Sequence, residues 1–142
     1  MILKISFIIS LAAIAILCWI ILTQPTALPA VMGDSPIHGR GMFATRNIKS
    51  GEVIETAPLI LFDRSDVNKG SILLDYDLTV KDKSAIMLGH ASIYNHSDNA
   101  NAEWEYDSDP KLFITATRDI HVGEEIFVDY GQPYWAARTD KL

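Results

Sequence analysis

Gly123-Glu124-Glu125-Ile126-Phe127-Val128-Asp129-Tyr130-Gly131 is the stretch on which the reading of this chain turns. Val122-Gly123 predicts a turn, and Glu125 to Val128 predicts a short strand running into Asp129-Tyr130-Gly131. Taken alone, Glu124 and Glu125 are solvated turn charges, and Tyr130 is a core aromatic with a satisfied hydroxyl. Two segments further back change the weight of that reading. One is Tyr94-Asn95-His96-Ser97, with Asn99 and Asn101 following. The other is Gly39-Arg40-Gly41-Met42-Phe43-Ala44, followed by Ile48-Lys49-Ser50-Gly51-Glu52-Val53-Ile54. A single Gly-x-Gly usually marks a turn, although glycines also let backbone approach a ligand closely. His96 alone reads as a hydrogen-bonded structural residue, and its proximity to Ser97 is no sign of a nucleophile pair, since pairing is spatial. His90 lies six residues away and no ligand partner stands at metal spacing, so no metal site is expected.

Around these segments the pattern is mainly β, with many short strands. Met42-Phe43-Ala44 predicts a strand, Ser50-Gly51 a turn, and Glu52 to Phe62 a β-rich run interrupted by Pro58. Residues 63–83 read as loops around a short strand near Tyr76. Ser84 to Ile93 predicts helical or 3₁₀ turns with Ser84 as N-cap, and Leu112 to Thr117 alternates as a half-buried strand does.

The 142 residues carry 12 basic and 18 acidic side chains, a net charge of −6, and are 49% hydrophobic. The apolar residues are concentrated at one end: within residues 1–22 only Lys4, Ser6 and Ser10 interrupt an apolar run. Without that run roughly 42% of the remainder is apolar, which suits one modest globular core and excludes a second soluble domain, disorder or a disulfide scaffold. Cys18, the one cysteine, lies inside the run, so the rest has no disulfide, thiol nucleophile or cysteine-ligated zinc. The acidic balance disfavours direct nucleic-acid binding and suits a basic partner.

Ile5 to Leu22 offers 18 uncharged residues, which as a helix span ~27 Å, close to a bilayer core. A secretory core is usually shorter, and Thr26-Ala27-Leu28-Pro29-Ala30 is an imperfect cleavage site. An uncleaved single-pass anchor is the expectation, with a cleaved signal peptide as the alternative. Lys4 before the span and Arg40 as the first positive charge after it give a weak bias to a cytoplasmic N-terminus. Thr23 to Ser35, with Pro25, Pro29 and Gly33, reads as a linker.

Together the three ordered segments resemble the SET-domain protein lysine methyltransferases. The first resembles that family's Gly-x-Gly strand. The second resembles its Asn-His-Ser segment, with Asn101 as the later Asn, and the third its Gly-Glu-Glu-Ile…Tyr-Gly ending. The likeness extends over roughly residues 33–135 and is nearest to the minimal SET proteins of some large DNA viruses. They share the compact spacing, a Tyr near position 76, Ser84-Ala85…Leu88-Gly89 and the Tyr134-Trp135 ending. Ala100 stands where the family commonly has Pro, Asp98 where many nuclear members have Cys, and the family's cysteine-rich zinc segments are absent.

The resemblance implies a fold of small curved sheets with a threaded C-terminal segment, preceded here by one transmembrane helix. The boundaries expected are an anchor over 1–24, a linker over 25–34, the SET domain over 35–135 and a tail over 136–142. It implies methyl transfer from S-adenosyl-L-methionine to a lysine of a basic protein or peptide, in a Tyr-lined channel. Tyr130 is then the catalytic residue and also touches the cofactor. Gly39, Arg40, Gly41, Asn95, His96 and Trp135 are the further cofactor residues, and Tyr76 and Tyr134 the channel candidates, with an ordinary strand aromatic the alternative for Tyr76. The chain ends soon after Trp135, which leaves open what closes the channel, a second subunit in a homodimer being one candidate. Cytosolic cofactor supply places the domain on the cytosolic side, against the weak charge bias. The competing readings are a catalytically silent SET-like module binding a basic peptide at a membrane, and a secreted β-domain released by leader cleavage.

Overall fold

The computed structural model describes residues 28–107 and 110–136, together with positions 13, 14 and 16. Apart from those three positions, the anchor expected over 1–24 lies outside the described residues, as does the tail after Ala136. No helix among the described residues is long and apolar enough to cross a membrane.

Among the described residues, nine strands form two sheets. The first holds β1 (Ala30–Asp34), β2 (Arg40–Ala44), β9 (Glu125–Val128) and β6 (Asn95–His96), in that spatial order. The second runs β4 (Asp77–Val80), β5 (Lys83–Met87), β3 (Val53–Phe62), β8 (Lys111–Ala116) and β7 (Ala102–Tyr106). All pairings are antiparallel except β6 with β9, where Asn95 meets Phe127 and His96 meets Val128 in parallel. A five-residue helix, α1 (Gln132–Ala136), follows β9. A mainly β architecture with many short strands is what the residue pattern predicts, and small sheets are what the family resemblance implies.

Pro58 interrupts nothing, because β3 changes partner there. Residues up to Pro58 pair with β8, and Leu59 to Phe62 pair with β5, so the missing amide hydrogen falls at the handover. A register shift between Val53 and Glu55 makes a bulge that turns both Ile54 and Glu55 inward. The core is closed by Met42, Ile48, Ile54, Leu112, Ile114, Ile120, Ile126 and Val128, each essentially buried. At about 1.5–3 kcal/mol per buried large aliphatic chain, this cluster is the main cohesive element.

Two expectations are corrected. Ser84 to Met87 is strand β5, not helix, and only Ala91–Ile93 forms a 3₁₀ turn. Ser84 caps nothing; its Oγ donates to Asp77 Oδ2 at 2.7 Å. Strand partners on both sides, β3 and β4, override the local pattern. Part of the stretch read as a linker, Ala30–Asp34, is β1, paired residue for residue with β2 from Ala44 back to Arg40. The strand near Tyr76 begins directly after it, at Asp77.

Candidate functional site

The parallel contact of β6 with β9 brings the second and third sequence segments side by side, and β2 delivers the first against β9. A buried polar network locks the three together. Asn95 donates from Nδ2 to the carbonyls of His38 and Arg40, both at 3.1 Å, and to Glu125 Oε1 at 2.9 Å. Glu125 also accepts from Ser35 Oγ at 3.0 Å, and Ser35 Oγ in turn receives the Ile37 and His38 amides. The loop between β1 and β2 is thereby tied to β6 and β9. Asn101, buried, clamps β9 from the other side: its Nδ2 donates to the Glu125 carbonyl at 2.9 Å and its Oδ1 accepts from the Phe127 amide at 2.8 Å.

Gly41 is required by this network. A Cβ there would lie 2.0 Å from Glu125 Oε1 and 3.1 Å from Asn95 Nδ2. Gly39 is different: it has φ +49° and open space around its missing side chain.

A cleft of about 1070 Å³ opens beside the network, and Gly39, Arg40, Asn95, His96, Tyr130 and Trp135 are on its wall. Tyr76 and Tyr134 line it as well. Gly41 is the exception, being buried behind the wall. Pockets that hold drug-sized ligands measure roughly 300–1,000 Å³, so this cleft is at the upper end of that range.

Aromatic rings converge on Tyr130. Trp104 stacks on it with centroids 5.8 Å apart and planes at 16°, Tyr134 meets its edge at 4.6 Å, and Trp135 lies 6.2 Å away at 23°. The Tyr130 hydroxyl donates to the Tyr94 carbonyl at 2.8 Å. His96 is spent on structure: Nδ1 accepts from the Tyr130 amide at 3.2 Å, which places the hydrogen on Nε2, facing Asp98 at 3.2 Å. No ring nitrogen of His96 is left over for proton abstraction.

Asn95 provides the test of fit for a small charged cofactor. It is 7% exposed, and with its amide nitrogen committed, its Oδ1 has no partner among the described residues. A buried acceptor on a cleft wall is costly unless a donor meets it, and an amino group is such a donor. The exposed Arg40 guanidinium on the same wall suits a carboxylate.

Residues 39–131 match the family described as SET domain. The chain belongs to the SET-domain family. This SET domain is 28% identical over 112 residues to the H3 lysine-37-specific histone-lysine N-methyltransferase of Schizosaccharomyces pombe, covering 75% of this chain and 76% of that one. It is 32% identical over 110 residues to histone-lysine N-methyltransferase set9 of Aspergillus oryzae, covering 69% of this chain but 17% of that relative's length. A Plasmodium falciparum structure assigned as a histone methyltransferase superposes with TM-score 0.68 at 29% identity, covering 77% of this chain and 98% of that one. The SET fold expected from the motifs is thus the fold observed.

Three buried or half-buried residues of this SET site escape sequence reasoning. Trp104 backs Tyr130 from β7, and the alternating Ala102-Glu103-Trp104-Glu105-Tyr106 run was the signal available for it. Glu125 reads from sequence as a turn charge, yet it is 8% exposed and is the hub of the network. Glu55 is 5% exposed, and accepts from the His90 amide at 2.9 Å and the Tyr94 hydroxyl at 3.0 Å. Burial, and then the charge of Glu55, pushes the Tyr94 phenol far above the ordinary tyrosine range, so it remains a neutral donor. No sequence rule predicts that carboxylate inward; the bulge does it.

Proposed function

We propose that this protein-lysine methyltransferase methylates a lysine side chain inserted toward Tyr130, with S-adenosyl-L-methionine held along the wall formed by Gly39, Arg40, Asn95, His96 and Trp135. When bound, that cofactor supplies a methyl carbon activated by a sulfonium leaving group. The rest of the task falls to the residues of this chain. Asn95 Oδ1 accepts from the cofactor's amino group, Arg40 pairs with its carboxylate, and Trp135 and the His96 segment flank its aromatic end.

The central difficulty is the protonation state of the lysine. With a reference pKa near 10.4, only about one amine in a thousand is neutral at pH 7.4, a cost of ~4 kcal/mol. Rings of Tyr76, Trp104, Tyr130 and Tyr134 line the cleft and replace water around the amine, which lowers its pKa. Tyr130, its hydroxyl fixed by the Tyr94 carbonyl, orients the amine lone pair, and this positioning supplies most of the remaining acceleration. Neither a histidine nor a carboxylate base is needed. The observation that carries this reading is the convergence of Asn95, His96 and Tyr130, from segments 35 residues apart at the extremes, on one aromatic-walled cleft.

The substrate class is a basic protein or peptide, which the net charge of −6 attracts by electrostatic steering. The apolar run Ile5 to Leu22 supports an anchored, single-pass arrangement with this domain on the cytosolic side, where cofactor is supplied. Protease protection of the C-terminus in intact vesicles tests that arrangement: digestion from the cytosolic side supports it, and protection overturns it. For the activity, the full chain is incubated with methyl-labelled cofactor and a basic protein mixture. Transfer by the unaltered chain, lost in Tyr130→Phe and in Asn95→Ala, is the expected result. Full activity in both variants overturns the site.

A further inference from the structure

Glu55 belongs to no part of the cleft wall, yet its hydrogen bond to the Tyr94 hydroxyl connects it to Tyr130. Its Oε1 accepts from the His90 amide at 2.9 Å and its Oε2 from the Tyr94 hydroxyl at 3.0 Å. Those two partners bracket the 3₁₀ turn Ala91–Ile93, so one carboxylate grips both ends of the segment that leads into β6. The His90 ring stands 3.9 Å away through Nδ1 and is half exposed. Gly89, at φ +73°, gives the carboxylate room: a Cβ there would sit 2.7 Å from Glu55 Oε1. The Tyr94 residue held in this way is the one whose carbonyl receives the Tyr130 hydroxyl at 2.8 Å.

We propose that Glu55 is a positioning residue for the reaction, fixing the Tyr94 carbonyl, and through it the Tyr130 phenol, by way of the Tyr94 hydroxyl and the His90 amide. The proposal rests on the lysine-methylation reading of the cleft. Tyr94 does double duty: its side chain is anchored on β3, and its backbone is the acceptor that orients Tyr130. Its 1% exposure leaves the ring no alternative partner in solvent, so losing Glu55 frees the acceptor to drift. Misplacement by ~1 Å at a reacting centre costs up to about a hundredfold in rate.

Tyr94→Phe removes only the hydroxyl and leaves the carbonyl in the chain. Glu55→Gln keeps an oxygen for the His90 amide and an NH₂ group that can donate to the Tyr94 oxygen. In the full chain, Tyr94→Phe is expected to lower kcat roughly tenfold or more while KM for the methyl donor stays within about twofold. Glu55→Gln retains more kcat than Tyr94→Phe. A second readout uses tyrosine labelled with ¹³C at Cζ, with the Tyr130 resonance assigned by Tyr130→Phe. That resonance shifts in Tyr94→Phe, because the carbonyl that accepts from the Tyr130 hydroxyl is no longer held by Glu55. An unchanged kcat, or a Tyr130 resonance that stays in place in the folded variant, overturns the proposal. If the unaltered chain transfers no methyl group, the functional reading fails separately, and the Tyr130 resonance alone decides whether Glu55 and Tyr94 hold that phenol.

Discussion

Gly41→Ala puts the site network to its hardest single test. The new methyl group would meet Glu125 Oε1 at 2.0 Å and Glu125 Cδ at 2.8 Å. Glu125 is not a free side chain that can swing aside; it is buried, with one oxygen on Asn95 at 2.9 Å and the other on Ser35 at 3.0 Å. The overlap reaches Cδ as well as Oε1, so relieving it moves the whole carboxylate and breaks both of these hydrogen bonds. Bonds to a charged group are worth about 1.5–3 kcal/mol each, so the expected loss for the two is about 3–6 kcal/mol. Against a total stability of about 5–15 kcal/mol for a domain of this kind, that lowers the thermal midpoint by roughly 12–24 °C. Gly39→Ala is the control, since it meets open space and carries only the left-handed backbone cost of about 1 kcal/mol. Circular dichroism melts of both variants measure the difference. The Glu125→Ala background sharpens it, because there the Gly41→Ala increment collapses once the obstructing carboxylate is gone. A Gly41→Ala variant as stable as Gly39→Ala, or an undiminished increment in the Glu125→Ala background, refutes the reasoning.

Asn101→Ala leaves the Glu125 carbonyl and the Phe127 amide without their buried partner, and is expected to cost about 2–5 kcal/mol in denaturant titration. Asn101→Asp keeps the acceptor for Phe127 but turns the donor into a second acceptor against the Glu125 carbonyl, so it does not restore stability. Acid has a predictable sign: the Glu52, Asp119 and Glu124 carboxyls are held below their usual values, chiefly by Arg46, Lys49 and the His121 amide respectively. Their contribution is complete above the unfolded carboxylate pKa near 4 and is lost as pH falls through the depressed folded values. Melts are expected to be flat in this respect from pH 7 to 5 and to fall below about pH 4, by a small amount, since these pairs face solvent.

Much of this site is written in local sequence. The Gly39–Ala44, Tyr94–Asn101 and Gly123–Gly131 segments each have short turn or strand signatures, and the sheet pairing of β2, β9 and β6 does assemble them. What stayed hidden depends on partners distant in the chain. Only Ala30 of β1 is buried, so no alternation marks it, and its strand character comes entirely from pairing with β2. The apolar run of β5 is too short to carry a period, and β3 and β4 decide it. Sequence marks Gly41 as small without revealing that the space belongs to Glu125. Glu55 points inward only because the bulge shifts the in–out alternation of β3 by one residue.

The central claim is that the cleft around Tyr130 methylates lysine. Its most direct measurement is mass spectrometry of a basic protein mixture after incubation with the full chain and S-adenosyl-L-methionine, beside the same incubation with Tyr130→Phe. Methyl groups on lysine side-chain nitrogens are expected with the unaltered chain, with at least a tenfold loss in Tyr130→Phe. Equal lysine methylation by both proteins, or methyl groups on residues other than lysine, contradicts it.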